Sequence, residues 1–137
     1  MKRVYLASKM RGLPNHGFDN FDRVKKIMTE WGLDAVSPAD IDRQHNPGGK
    51  FDESMLLDII RRDVDALLTC DAICLFGDWS VSPGALAEAF LAQWATLEML
   101  ILEEEETDEY YAYSLRKVGT EEILFSVTEI KKPRLDN

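Results

Sequence analysis

The chain of 137 residues is poor in several things that proteins are commonly built around. It has two cysteines and two histidines, and these are not spaced as in a metal site. Cys70 and Cys74 stand four apart at the start of an apolar run; residues so placed on one strand share a face but are too distant to bridge. They read as core packing. His16 and His45 lie among Asn, Gly and Pro in loop-like segments, and neither is expected to be catalytic. No Walker loop is present, and no Gly-x-Gly-x-x-Gly follows a strand pattern, so no cofactor or metal is implied. Basic residues are also scarce: 16 Lys and Arg face 25 Asp and Glu, for a net charge of -9. Without a basic stripe the chain has no means of neutralising a nucleic-acid backbone, so polymeric DNA or RNA is not an expected partner. A small anion held by a few local donors is compatible with this balance. The longest apolar stretch is broken by Glu88 and Gln93 and cannot span a bilayer, and the N-terminus leads into a strand pattern rather than a signal peptide. No membrane partner and a cytoplasmic location are therefore expected.

What is present is an ordinary globular composition, 45% hydrophobic and 30% charged, read as a single domain over residues 1–137. Val4 to Ala7 predicts a buried first strand. Phe18, Phe21, Val24, Met28 and Trp31 recur at helical spacing, with Gly32 as the stop. Leu33 to Val36 predicts a second strand ended by Ser37-Pro38, and residues 41–50 carry the loop signal Asn46-Pro47-Gly48-Gly49. A helix follows from about Asp52 to Thr69, a strand buried on both faces from Asp71 to Phe76, a helix over residues 83–97 and a strand from Met99 to Leu102. The acidic run Glu103 to Glu106 reads as solvated surface. Tyr110 to Leu115 and Ile123 to Ile130 alternate as a strand pair, and the residues from Lys131 onward read as a tail.

Strands alternating with helices imply right-handed crossovers. The expected fold is α/β, a small doubly wound, flavodoxin-like, mostly parallel sheet with an extra C-terminal strand pair. In that arrangement ligands bind beyond the C-terminal ends of the first and third strands, so the loops at 8–12 and 77–84 should meet.

Two carboxylates are out of place for packing alone. Glu88 is the only charged residue of a helix that is otherwise apolar nearly all round. Asp63 falls three and four residues from Ile60 and Ile59 and four before Leu67, on the apolar stripe of its own helix. A surface strip for Glu88, and an ion pair of Asp63 with Arg61 or Arg62, are the plain structural alternatives. At about 1.5 Å per helical residue, Asp63 climbs roughly 10 Å up one flank of the third strand and Glu88 descends roughly 9 Å along the other. A facing pair at mid-height is allowed. One ionised and one protonated carboxyl are what cleavage of a glycosidic bond requires. Ser8, Lys9 and Arg11, with Ser82 and the amides at the start of its helix, offer an anion-binding rim.

The segments Val4 to Gly12, Ser37 to Asp40, Arg62 to Leu67, Cys70 to Ile73 and Gly77 to Glu88 resemble a phage-type branch of the nucleoside 2-deoxyribosyltransferase-like superfamily, over about residues 3–102. More distantly they resemble the 2-deoxynucleoside 5-monophosphate N-glycosidases. The resemblance implies that Glu88, in Ser82-x-Gly84-x-x-x-Glu88, is the nucleophile, that Ser82 and Gly84 line a phosphate or 5-hydroxyl pocket, and that Asp63 and Tyr5 stand beside it. It also implies that a neighbouring subunit completes the pocket, which the apolar helix over 83–97 suits, so a homo-oligomer is expected. The chain departs from the pattern in carrying Ser8-Lys9 in place of a frequent Gly-Pro, and Leu86 in place of a frequent arginine.

The function so implied is cleavage of the N-glycosidic bond of a 2-deoxynucleoside or its 5-monophosphate. Glu88 attacks C1 of the sugar, Asp63 assists departure of the base, and the deoxyribose passes to water or another base. Trp79 and Tyr5 are candidates for covering the base or sugar, and Asp40 for reaching the base. The alternatives from the same residues are a non-catalytic nucleotide-binding protein of the same fold and a structural adaptor using its acidic face.

Overall fold

The computed structural model describes residues 2–131. Strand β1 (Arg3–Ala7) sends Val4 and Leu6 to one side of the sheet and Tyr5 and Ala7 to the other, all four fully buried. A turn at Pro14–Gly17 leads into helix α1 (Phe18–Glu30), which buries Phe18, Phe21, Val24, Ile27 and Met28 against the first side. Gly17 is required there, since its φ is +70° and a Cβ would stand 3.0 Å from the Lys9 carbonyl oxygen. Strand β2 (Asp34–Val36) follows, parallel to β1.

The segment after β2 departs from the expected loop. Helix α2 (Pro38–His45) starts at once, with the Ser37 hydroxyl accepting from the Ala39 N–H at 3.2 Å and Pro38 in the first turn. The Ser-Pro pair thus opens a helix as well as ending a strand, because proline lacks only an N–H that the first turn leaves unpaired anyway. A loop and a short 3-10 turn at Glu53–Met55 lead into α3 (Leu56–Leu67), then β3 (Ala72–Leu75), a turn at Trp79–Val81, and α4 (Pro83–Trp94). Strands β4 (Glu98–Glu106), β5 (Tyr110–Lys117) and β6 (Ile123–Ile130) complete the described chain.

The six strands lie in the order β2-β1-β3-β4-β5-β6. The first four are parallel and β5 and β6 join antiparallel, so the fold is α/β with a mixed sheet and an added C-terminal pair. Helix α1 packs on one face together with Tyr113 and Leu115 of β5, while α3 and α4 pack on the other, over Tyr5, Ala7, Ile73 and Leu75.

Glu103 to Glu106 are exposed, as expected for a solvated run, but they are strand rather than loop. Their charge is met from three elements: Arg116 lies 2.5 Å from Glu103, Arg23 2.9 Å from Glu104 and Lys131 2.8 Å from Glu106. Cys70 and Cys74 are buried and free. They enter different cores, because Cys70 precedes the point where strand alternation begins. Of the expected tail, residues 132–137 lie outside the described residues. No described helix is long and apolar enough to cross a membrane.

Candidate active site

Tyr5 comes from the middle of β1, on the face covered by α3 and α4, and its ring is fully buried. Its hydroxyl donates to Glu88 Oε2, so α4 is tied to the sheet through its one charged side chain. Burial pushes the Glu88 carboxyl up to about 8; the Tyr5 hydrogen bond opposes this and the charge of Asp63 adds to it. Asp63, on α3, is pushed up to about 7, by burial first and then by the charge of Asp42, against the pull of Arg62. Tyr5 is itself held well above its ordinary range by burial and by the two acids, so its hydroxyl keeps its proton and stays a donor. Three groups from three elements are therefore electrostatically joined, the tyrosine fully buried and the two acids half-buried. The plain ion-pair alternative for Asp63 does not hold: Arg61 pairs with Asp58 at 3.3 Å and Arg62 donates to the Asp58 carbonyl at 3.2 Å.

Asp63 also reaches a cleft of about 90 Å³. Its walls come from the loop after β1 (Met10, Arg11, His16), from α2 and its C-cap (Pro38, Asp42, Asn46), from Gly49 and Phe51, and from α3 (Leu56, Ile59, Asp63). The spacing explains the wall. Positions 38, 42 and 46 recur every four residues, and 56, 59 and 63 at three and four, so each segment turns one face to the same space. His16 holds the rim, with φ of 54° and its Nε2 donating to the Gly49 carbonyl at 3.2 Å, and Arg11 lies 4.9 Å over the Phe51 ring. The cleft opens on the β2 side of β1, whereas the expected crevice lay between β1 and β3.

The remaining expected residues fall as follows. The loops after β1 and β3 do meet: a Cβ on Gly77 would stand 3.0 Å from Ser8 Oγ. Ser82 caps α4, accepting from the Ala85 N–H at 3.2 Å. Pro83 has no N–H and Leu86 bonds the Ser82 carbonyl, which leaves the Gly84 amide as the first-turn donor without an intrahelical partner. Trp79 is partly buried and packs against the core on the α4 side of the sheet. Ser8, Lys9, Trp79, Ser82 and Gly84, like Tyr5 and Glu88, are not among the walls of the cleft. Asp40 is ion-paired with Lys25 at 2.5 Å and Arg43 at 3.2 Å. The acid that α2 turns to the cleft is Asp42, not Asp40.

Sequence reasoning did not single out Asp42, Asn46 or the rim role of His16. The available signal was the four-residue spacing of Pro38, Asp42 and Asn46, visible only once α2 is read as a helix. An open groove of about 500 Å³ lies on the hairpin of β5 and β6, but its one cation, Arg116, is already paired with Glu103. Among the described residues, no group of three or more His, Cys, Asp or Glu is placed to hold a metal ion.

Residues 2–101 match the model of a family described as a domain of unknown function, DUF4406. No curated protein matches the sequence. Among solved structures, a 2-desoxiribosyltransferase from Leishmania mexicana superposes with a TM-score of 0.55 at 19% identity, over 74% of this chain and 63% of that one. The chain thus spans less than two thirds of that enzyme's length, and the likeness at this identity is one of fold. The family match runs from β1 into β4 and takes in Tyr5, Asp63 and Glu88, and the chain belongs to the DUF4406 family.

Proposed function

We propose that the protein cleaves the N-glycosidic bond of a 2-deoxynucleoside or its 5-monophosphate, as the motifs of the phage-type deoxyribosyltransferase-like branch imply. The observation that carries the reading is the joined group of buried Tyr5 and half-buried Glu88 and Asp63, two carboxyls pushed up to about 8 and about 7, the second of them lining a cleft. The fold shared with a 2-desoxiribosyltransferase supports it.

Ionised Glu88 attacks C1 of the deoxyribose. The bond from C1 to the base nitrogen breaks, its electron pair leaves with the base, and protonated Asp63 delivers the proton that neutralises it. The resulting glycosyl ester on Glu88 is opened by water, whose proton Asp63 takes back, or by a nitrogen of a second base. The Tyr5 hydroxyl stabilises the Glu88 carboxylate before attack and when it is released. Ser8, Lys9 and Arg11 with the Gly84 amide form the rim for a 5-hydroxyl or phosphate, and the cleft under α2 takes the base.

The test is a panel of the four common deoxynucleosides and their 5-monophosphates, incubated with the protein and assayed by chromatography for free base. Release from at least one member is expected. Binding of a member with no release from any would favour the nucleotide-binding alternative and end the glycosidase reading.

The same proposal includes a cytoplasmic homo-oligomer. Leu57 and Ile60 on α3 and Phe90 and Trp94 on α4 are 63%, 47%, 70% and 85% exposed, on two helices of one face. Large apolar side chains exposed on both helices are costly in water, and a second copy is their simplest cover. Sedimentation analysis should give a dimer or larger species, and the double substitution Phe90→Glu, Trp94→Glu should give a folded monomer. A monomeric wild type would refute this part.

A further inference from the structure

Helix α2 packs against α3, and Asp42 on the first lines the same cleft as Asp63 on the second. Asp42 has no part in the reaction just drawn. Its Oδ1 is buried and, among the described residues, has no hydrogen-bond donor. Lys25 is held by Asp40, Arg43 is shared between Asp40 and Asp22, and Arg11 lies over the Phe51 ring, so none of these offsets Asp42. Met10, Phe51, Leu56 and Ile59 make much of the remaining wall apolar, which leaves the charge of Asp42 weakly screened from Asp63. The other titratable groups around Asp63 are Arg62 on its own helix, Tyr5 on β1, Glu88 on α4, and Arg11 and His16 at the cleft rim. Arg62 opposes a proton on Asp63 while its Nε donates to the Asp58 carbonyl; Asp42 favours one.

We infer that Asp42 is a positioning residue for the proton of Asp63: its uncompensated charge keeps the proposed acid in the proton-bearing form that departure of the base requires. It acts through Asp63 and touches no ligand. The acid role of Asp63 rests on the glycosidase reading, whereas the coupling of the two side chains does not. A proton on Asp63 removes one of two like charges from a largely apolar space, and its loss restores both. The two acids of the site are thus set apart by their surroundings, Glu88 raised by burial and by Asp63, and Asp63 by burial and by Asp42.

The test is a carbon-13 NMR titration of the full chain labelled at its aspartate carboxyls, without substrate, the Asp63 signal being assigned through Asp63→Asn. Asp63 should titrate near 7 in the wild type and about one pH unit lower in Asp42→Asn, which keeps the shape of the side chain and removes its charge. Asp42→Ala takes its place if the amide does not fold. A midpoint moved by less than about 0.3 unit, or loss of folding in both variants, would overturn the inference. In turnover the same substitution should move the acidic limb of kcat/KM down by about one pH unit and lower its maximum about tenfold, because less of the protein then has Glu88 ionised while Asp63 keeps its proton. A lowered maximum with the limb in place would mark a structural role and overturn the inference as well. The NMR shift without base release by the wild type would end the glycosidase reading and leave the coupling of Asp42 to Asp63 standing. Base release without the shift would do the reverse.

Discussion

Replacing Glu88 by glutamine is expected to lower base release by at least about 10³-fold while leaving the protein folded and more stable at pH 8. The amide has the carboxylate's shape and can still accept the Tyr5 hydroxyl through its oxygen, but it cannot form the glycosyl ester. Stability moves the other way because the wild-type side chain must carry a charge into a site that opposes it. Single-turnover chromatography reads the first effect and thermal melting the second. The opposite signs are diagnostic, since a residue holding only the fold would lose stability along with activity. Base release within tenfold of wild type would remove Glu88 from the role of nucleophile.

The second large effect is on pH. Glu88 is raised from 4.5 to about 8 and Asp63 from 3.8 to about 7. A carboxyl whose folded value lies above its unfolded one binds its proton more tightly when folded, so its stabilising contribution is complete below the unfolded value. It is lost as pH rises through the folded value. Ordinary carboxylates are already ionised above pH 5, so the window from 5 to 8 belongs largely to this pair. The melting temperature is expected to fall by roughly 10 °C across it, and the double substitution Glu88→Gln, Asp63→Asn should remove most of that slope. Activity has a different dependence. The nucleophile must be ionised and the acid protonated, so kcat/KM should be bell-shaped with its maximum between pH 7 and 8, the two limbs belonging to the coupled pair. A melting temperature flat from pH 5 to 8 would refute the raised proton affinity of this pair.

The parallel half of the fold was legible because its signals are local. Strand β3 is a continuous apolar run, α1 repeats at helical spacing, and the misplaced acids of α3 and α4 stand out against apolar neighbours. Helix α2 was hidden because Ser37-Pro38 has two meanings, strand end and helix cap, and only packing decides between them. Asp42 was hidden with it, and Asp40, one face round the same helix, drew the attention instead. The reach of β4 was illegible for a different reason. Four successive glutamates have no strand character; what holds them extended is the antiparallel ladder with β5, and the charge of three of them is offset from far along the chain by Arg23, Arg116 and Lys131. Long-range compensation of charge leaves no mark on the segment compensated.

The hairpin of β5 and β6 lies beyond residue 101, where the family match stops, yet it is not an appendage. Leu102, Tyr113 and Leu115 share a core with Val4, Phe21 and Cys74, and Phe125 stacks on Trp31 of the α1 C-cap at 5.4 Å. A fragment trimmed to the boundary of the family match would bare the flank of α1 and leave β4 as an unprotected sheet edge, inviting aggregation rather than yielding a minimal domain.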